Sequence, residues 1–328
     1  MQTPGLVVFS GFGLTPDGVQ RTATYAKMAE ERGFRNFLVT EAASDALALA
    51  QHLASVTSRI QVGTAIFNIY LRPPLLAALH ALTIDAIAPG RLFLGLGTSH
   101  AILNQAYGIP MDKPLTALRT YVATMTSVFR GEHPGLAQMA AAGMNVPRAE
   151  RKIPLLLGGV SPKSIQLAGE IADGIIPAQY GPRMLKEVVD GVADGAQHAG
   201  RSPKDVAIVP LVHCCVCADR GVAVRSVQQQ LAFYASLPFY NRLFVRHGFH
   251  KEAEQIMVAA MRGDRAGAAA AVSQRMIEEC AIMGSAQECV KQVEACEKAG
   301  ASYVILYPMP IDGDFARGVR AALDAFAQ

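Results

Sequence analysis

Tryptophan is absent from the chain, and charged residues are scarce at 17%, against roughly 25% in an average soluble domain. With 51% hydrophobic residues, this excludes a disordered chain. It predicts a large interior, with part of the surface covered by another subunit. No charge sign dominates: 30 basic and 27 acidic residues leave a net charge of +3. That gives no electrostatic case for a nucleic-acid or membrane partner. Long uncharged stretches such as 92–111 are interrupted by Gly, Ser, His, Asn and Gln, which excludes a spanning helix. No basic residue precedes the first apolar run, so no secretory signal is expected. The first cysteine is Cys214, and the six cysteines follow no secreted-scaffold spacing. The expectation is a soluble cytoplasmic protein with reduced thiols and no resident metal.

A repeating unit is present instead: a short apolar strand, a turn, an amphipathic helix, then another strand. Strands are expected at 6–10, 34–40, 60–68, 91–96, 153–157, 175–178, 206–217 and 303–307. Helices are expected near 17–32, 44–57, 72–87, 162–172 and 182–199, with Gly33 stopping the first. Strand starts recur every 25–30 residues or so in the first half, the period of right-handed βα units. Eight strands, several apolar on both faces, favour an α/β fold of the (β/α)8 TIM-barrel type over an open sheet. The 328 residues then form one domain, 1–328, with helical insertions at the C-terminal face and a lid region around 218–300. The interval from 97 to 153 is expected to hold a loop plus a helix.

In such a barrel the strand C-termini carry function, which directs attention to Gly11, Phe12, Thr40, Glu41, the 65–68 and 98–100 stretches, 158–161, Gln179, Tyr180, 214–217 and Pro308. Gly158-Gly159-Val160-Ser161-Pro162 lies between a buried strand and a helix. Ser161 is suited to the N-cap and Pro162 to the first helical position, so the loop is either an anion site at a helix N-terminus or an ordinary capped helix. A Walker A loop is excluded by spacing, and His100 stands where a dinucleotide fingerprint needs its third glycine. Glu41 ends an apolar strand, where a buried carboxylate needs a partner. Two roles stand for it: catalysis, or a cap or salt bridge to the next loop. His100 is either a proton or hydrogen-bond donor or a loop histidine. His213, Cys215 and Cys217 share one strand face; packed cysteines explain them better than zinc does. Arg91 begins a strand and reads as an ion pair at the barrel base.

Glu41 after FLVT, the run 54–64 (ASVTSRIQVGT), 68–73 (NIYLRP), 89–100 (PGRLFLGLGTSH), 153–176 and the closing segment 282–308 together resemble the luciferase-like monooxygenase family. The resemblance covers nearly the whole chain, in family order. It implies a (β/α)8 barrel and an oxidoreductase using either FMN or the deazaflavin coenzyme F420. The stretch 97–122 is most similar to the F420-associated branch. Some F420 enzymes carry His and Trp after the second strand; here Ala42 follows Glu41, so their proton relay is not carried over. The resemblance places the cofactor ring against Thr64, Ala65 and Ile66, with a cis peptide at Ala65–Ile66. Asn68, Ser99 and His100 then line the ring and ribityl region, and Gly159, Val160 and Ser161 take the phosphate. Glu41 and His100 are the expected catalytic residues.

The function expected is hydride passage between reduced F420 and a small, largely apolar substrate. FMNH2-dependent monooxygenation is the alternative, and a redox-silent flavin-binding barrel is the alternative from another class. A homodimer through helices of the first half is also expected.

Overall fold

The computed structural model describes residues 2–9 and 15–328; Gly11 and Phe12 lie outside the described residues. The first half holds β1 (Gly5–Val8), α1 (Pro16–Glu31), β2 (Asn36–Val39), α2 (Ala46–Val56), β3 (Gln61–Asn68), α3 (Pro74–Ile87) and β4 (Leu92–Gly97). Three helices follow: α4 (Ala101–Ala106), α5 (Pro114–Phe129) and α6 (Pro134–Ala141). Next come β5 (Leu155–Gly158), α7 (Pro162–Ile171), β6 (Gly174–Ile176), α8 (Leu185–His198), β7 (Ala207–Ile208) and β8 (Leu211–Val216). The inserted helices are α9 (Arg220–Ala235), α10 (Pro238–Arg246), α11 (His250–Met261), α12 (Arg265–Ala270) and α13 (Gln274–Cys280). The chain ends with β9 (Ala281–Gly284), α14 (Ala286–Lys298), β10 (Ile305–Pro308) and α15 (Phe315–Ala325).

All strand pairs are parallel, in the order β7-β6-β5-β4-β3-β2-β1-β10-β8-β9. Strands such as Gly5–Val8, Asn36–Val39 and Leu92–Gly97 are buried at every residue, as a parallel sheet covered on both faces requires. Just beyond β6, Ala178 bridges Leu211 at the start of β8, and the Gln179 N–H donates to Leu211 O at 3.2 Å. The sheet therefore curls until its sixth and eighth strands touch.

Among the described residues ten strands are found, not eight. The expected strand at 206–217 is divided into β7 and β8 at Val209-Pro210, where proline has no N–H to give a ladder. The extra strand β9 lies within the expected insertion and pairs with β8 from His213↔Ala281 to Val216↔Gly284. Local sequence explains the helix ends. Gly33 has φ 74°, and Ser161 forms a capping box with Ser164 at the start of α7.

Arg91 does sit at the base of the sheet, yet it makes no ion pair among the described residues. Its guanidinium donates to Ala54 O, Thr57 O, Thr57 Oγ1 and Ile60 O at 2.8–3.2 Å. A cation at the carbonyl end of α2 is favourably placed. All six cysteines are free and five are buried. Burial pushes the Cys215 and Cys296 thiols up to about 12, so they pack as small apolar groups. Among the described residues, no helix is long and apolar enough to cross a membrane.

Candidate active site at the strand C-termini

β3 carries the defining irregularity. The Ala65–Ile66 peptide is cis, and the β3–β4 register shifts between Thr64 and Phe67. The Ile66 side chain lies over three glycines. A methyl at Gly158 would meet Ile66 Cγ2 at 2.8 Å, one at Gly97 would meet Ile66 Cδ1 at 3.1 Å, and one at Gly95 would meet Thr64 O at 2.5 Å. The Gly-Leu-Gly of β4 thus makes room for the bulge. Thr64 stitches the same layer by donating its hydroxyl to Gly95 O at 2.8 Å.

Glu41 follows β2 with its side chain only 2% exposed. Its Oε1 accepts from the Ala46 N–H at 3.1 Å and from Arg72 Nη2 at 2.6 Å; its Oε2 accepts from the Asn68 N–H at 2.6 Å and from Arg72 Nη1 at 3.3 Å. Burial opposes the Arg72 charge, but Glu41 and then Asp45 outweigh it and hold that guanidinium above its ordinary pKa. Asn68 continues the network, donating Nδ2 to Asn104 Oδ1 at 2.7 Å, while Asn104 Nδ2 donates to Thr98 O at 2.8 Å. One buried chain of polar contacts therefore locks the ends of β2, β3 and β4 together. Of the two roles open to Glu41, this geometry matches the salt bridge.

Ser99 has φ 57° and turns the chain so that His100 starts α4. The His100 ring lies 5.5 Å from the Tyr240 ring of α10, and burial lowers its pKa. Thr64, Ala65, Ile66, Asn68, Ser99 and His100 thus gather at the adjoining ends of β3 and β4. Gly159, Val160 and Ser161 follow β5, the next strand in the sheet.

The loop at 158–161 is tied more tightly than its sequence suggests. The Ser161 N–H donates to Ser164 Oγ at 3.0 Å, and the Gly159 N–H points at Ile176 O at 3.4 Å. Neither is the open donor expected. The Val160 and Lys163 N–H groups have no acceptor among the described residues. Val160 O accepts from Tyr180 OH at 3.1 Å and from Arg246 Nη2 at 2.7 Å. Glu187 binds Arg246 Nε and His247 Nε2, each at 2.7 Å. The inserted helix α10 is thereby fastened to the loop.

Arg72, Asn104 and Arg246 escaped the sequence reading, whereas Tyr240 falls in the expected lid region. Only Arg72 left a trace: a buried Glu41 demands a cation, and Arg72 opens the loop after a neighbouring strand.

A curled parallel α/β sheet whose polar groups gather at its strand C-termini, next to a helix-capping loop, is the frame of a cofactor-dependent enzyme. The luciferase-like monooxygenase family model matches residues 5–303, and the chain belongs to that family; it is an oxidoreductase. The 5,10-methylenetetrahydromethanopterin reductase of Methanolobus tindarius is 27% identical over 296 residues, covering 88% of this chain and 90% of the relative. The structure of the coenzyme F420-dependent tetrahydromethanopterin reductase from Methanopyrus kandleri has a TM-score of 0.82 at 24% identity, covering 99% of this chain and 98% of that one. The oxygenating constituent of 3,6-diketocamphane monooxygenase from Pseudomonas putida, in complex with FMN, has a TM-score of 0.70 at 17% identity, covering 100% and 97%.

Proposed function

We propose that this chain is a cytoplasmic F420-dependent oxidoreductase that passes a hydride between reduced F420 and a small, uncharged organic substrate. The observation that carries the proposal is similarity to a reductase along 88% of the chain, joined to a site that presents few unpaired charges. The curled sheet then serves as a closed barrel with its mouth at the strand C-termini.

The residues present fit such a cofactor in part. The Val160 and Lys163 N–H groups are the donors left for a phosphate, with Arg246 alongside. Arg183 and Lys186 suit a carboxylate tail less well, because they pair with Glu279 at 3.1 Å and Asp190 at 2.5 Å on exposed faces. Lys163 has no ion-pair partner among the described residues and remains the better cation. When bound, the deazaflavin supplies hydride chemistry. The chain's own part is positional. The 64–66 bulge would support one face of the ring, Asn68 and Ser99 would border it, and His100 would offer a neutral imidazole towards the reacting atoms. Glu41 acts through Arg72 and Asn68 by holding the bulge in place.

The test offers purified protein reduced F420 or FMNH2, with and without oxygen, following binding by fluorescence and substrate consumption by chromatography. F420 binding with oxygen-independent consumption is expected. Tight FMNH2 binding with oxygen-dependent product would replace this reading by a monooxygenase. Cofactor binding without turnover on any acceptor would leave a redox-silent barrel.

A further inference from the structure

Two fully buried polar side chains at the mouth lack a full set of partners. His213, the third residue of β8, and Gln179, just after β6, are 0% and 1% exposed. The imidazole Nδ1 lies 3.0 Å from Gln179 Oε1, whereas His213 Nε2 and Gln179 Nε2 have no partner among the described residues. An orphaned buried polar group is destabilising, because it has given up its hydrogen bonds to water without replacing them. Gln179 also holds a φ of 69°, in the left-handed region that side chains disfavour. Packing alone requires none of this.

The surroundings point to a guest. The rings of Tyr234 and Tyr307 lie 5.0 and 5.1 Å from His213, Tyr240 lies 4.9 Å from Tyr234, and His100 follows 5.5 Å beyond Tyr240. This aromatic chain crosses from β8 and β10, through α9 and α10, to the end of β4. In the sheet order β8 is four strands from β3 by way of β10, β1 and β2, and four again by way of β4, β5, β6 and the Ala178–Leu211 bridge. His213 therefore stands across the mouth from the Ile66 bulge. No Asp, Glu, Lys or Arg belongs to this chain of ring contacts. Burial holds the His213 pKa down to about 3 and lifts Tyr234 to about 12, so both stay neutral at ordinary pH.

We propose that Gln179 and His213 form a substrate subsite that holds the oxygen of an uncharged alcohol or carbonyl compound. With Nδ1–H donating to Gln179 Oε1, the imidazole Nε2 is left as an acceptor and the Gln179 amide as a donor. A hydroxyl answers both; a carbonyl oxygen accepts from the amide. A carboxylate or an ammonium group meets no counter-charge there and is excluded by desolvation. Entry requires the Tyr234 ring to move, which makes α9 and α10 the cover of the subsite. The subsite gives the substrate side of the F420 reading, on which it rests, but its test needs no cofactor.

Cyclohexanol and cyclohexanone serve as neutral probes and cyclohexanecarboxylate as the charged comparator, each titrated into full-length protein with 15N-labelled histidine. The His213 Nε2 resonance, identified by its loss in His213→Leu, is expected to move with both neutral probes and not with the carboxylate. The double variant His213→Leu/Gln179→Leu removes both orphaned atoms; it should melt no lower than the wild type and show no saturable uptake of either probe. Three results would overturn the proposal: a resonance that ignores all probes, one that moves equally with the carboxylate, or a double variant that melts well below the wild type. A resident water at Nε2 that no probe displaces would likewise reduce the pair to a hydration site. F420 binding measured on the same samples separates the two readings: its absence refutes the cofactor while leaving the probe result standing.

Discussion

A buried group that titrates differently in the folded chain leaves a mark on stability, and His213 is the clearest case. Its ordinary pKa of 6.5 is lowered to about 3 by burial, so between those values the unfolded chain binds the proton and the folded chain does not. Stability must then fall as pH drops from 6.5 towards 3, by up to about 1.4 kcal/mol per pH unit. In His213→Leu that part of the slope disappears, and urea unfolding of the two proteins at pH 7 and pH 5 measures the difference. Gly95 offers a steric counterpart. Its methyl would press on Thr64 O at 2.5 Å, a backbone atom that cannot swing away. Gly95→Ala should therefore cost about 1–3 kcal/mol, whereas Gly158→Ala meets only the Ile66 side chain and should cost less. Equal losses would mean that the bulge yields more readily than its packing implies. Part of this site was legible in the sequence. Glu41 at an apolar strand end announces a partner, and Ser161-Pro162 announces a cap. The identity of Glu41's partner was not legible, because Arg72 is brought there by strand pairing and not by any local spacing. The unpaired Nε2 of His213 was hidden for the same reason: alternation places its side chain on one face, but only the closed packing of Tyr234 and Tyr307 isolates it.

At the scale of elements, the insertion is joined to the site by its helix α10. Arg246 reaches Val160 O, Tyr240 covers His100, and Glu187 binds Arg246 and His247. Burial works against the Glu187 charge, yet His247 and Arg246 outweigh it and leave the carboxyl below its ordinary value of 4.5. A carboxyl so depressed contributes stability above that value and loses it as pH falls through the folded pKa. The fastening of α10 should hold at neutral pH and loosen on acidification below about 4.5. Hydrogen exchange across 238–247 reads this directly. Glu187→Gln should show faster exchange in that segment already at neutral pH, with α1 and β2 unaffected as internal controls. Sequence patterning found the helical character of this region but missed β9. Ala281–Gly284 is four apolar residues placed immediately after α13, so neither alternation nor a turn residue separates it from the helix. The break between β7 and β8 was visible in principle, since Pro210 stands inside the apolar run.

For the whole molecule, the shortage of charge returns as a question of what covers α3. A helix apolar on all sides belongs inside a protein, and PLLAALHALTIDAI has only His80 and Asp85 as ionisable groups. Asp85 is buried and bound by the Gly90 N–H and by Arg151, while His80 contacts Gln51 of α2. Neither gives the outer face a charge. That face carries Leu76 and Ile87, 56% and 42% exposed, with Leu71 at 39% just before the helix. We propose that a second copy of the chain covers it, α3 meeting its own counterpart about a two-fold axis, because a self-complementary apolar strip needs no other partner. A permanent interface of this kind buries more than roughly 2,000 Å² in total, so the strip along α3 would form its centre and not its full extent. Light scattering should then give about twice the chain mass of 34.9 kDa. Leu76→Glu places a carboxylate in each half of the strip and should shift the protein to monomer with a lower melting temperature, while Met261→Glu, at an 82% exposed position on α11, should change neither. A wild-type mass near 34.9 kDa at working concentration, or a Leu76→Glu protein that keeps the doubled mass, would refute α3 as the contact.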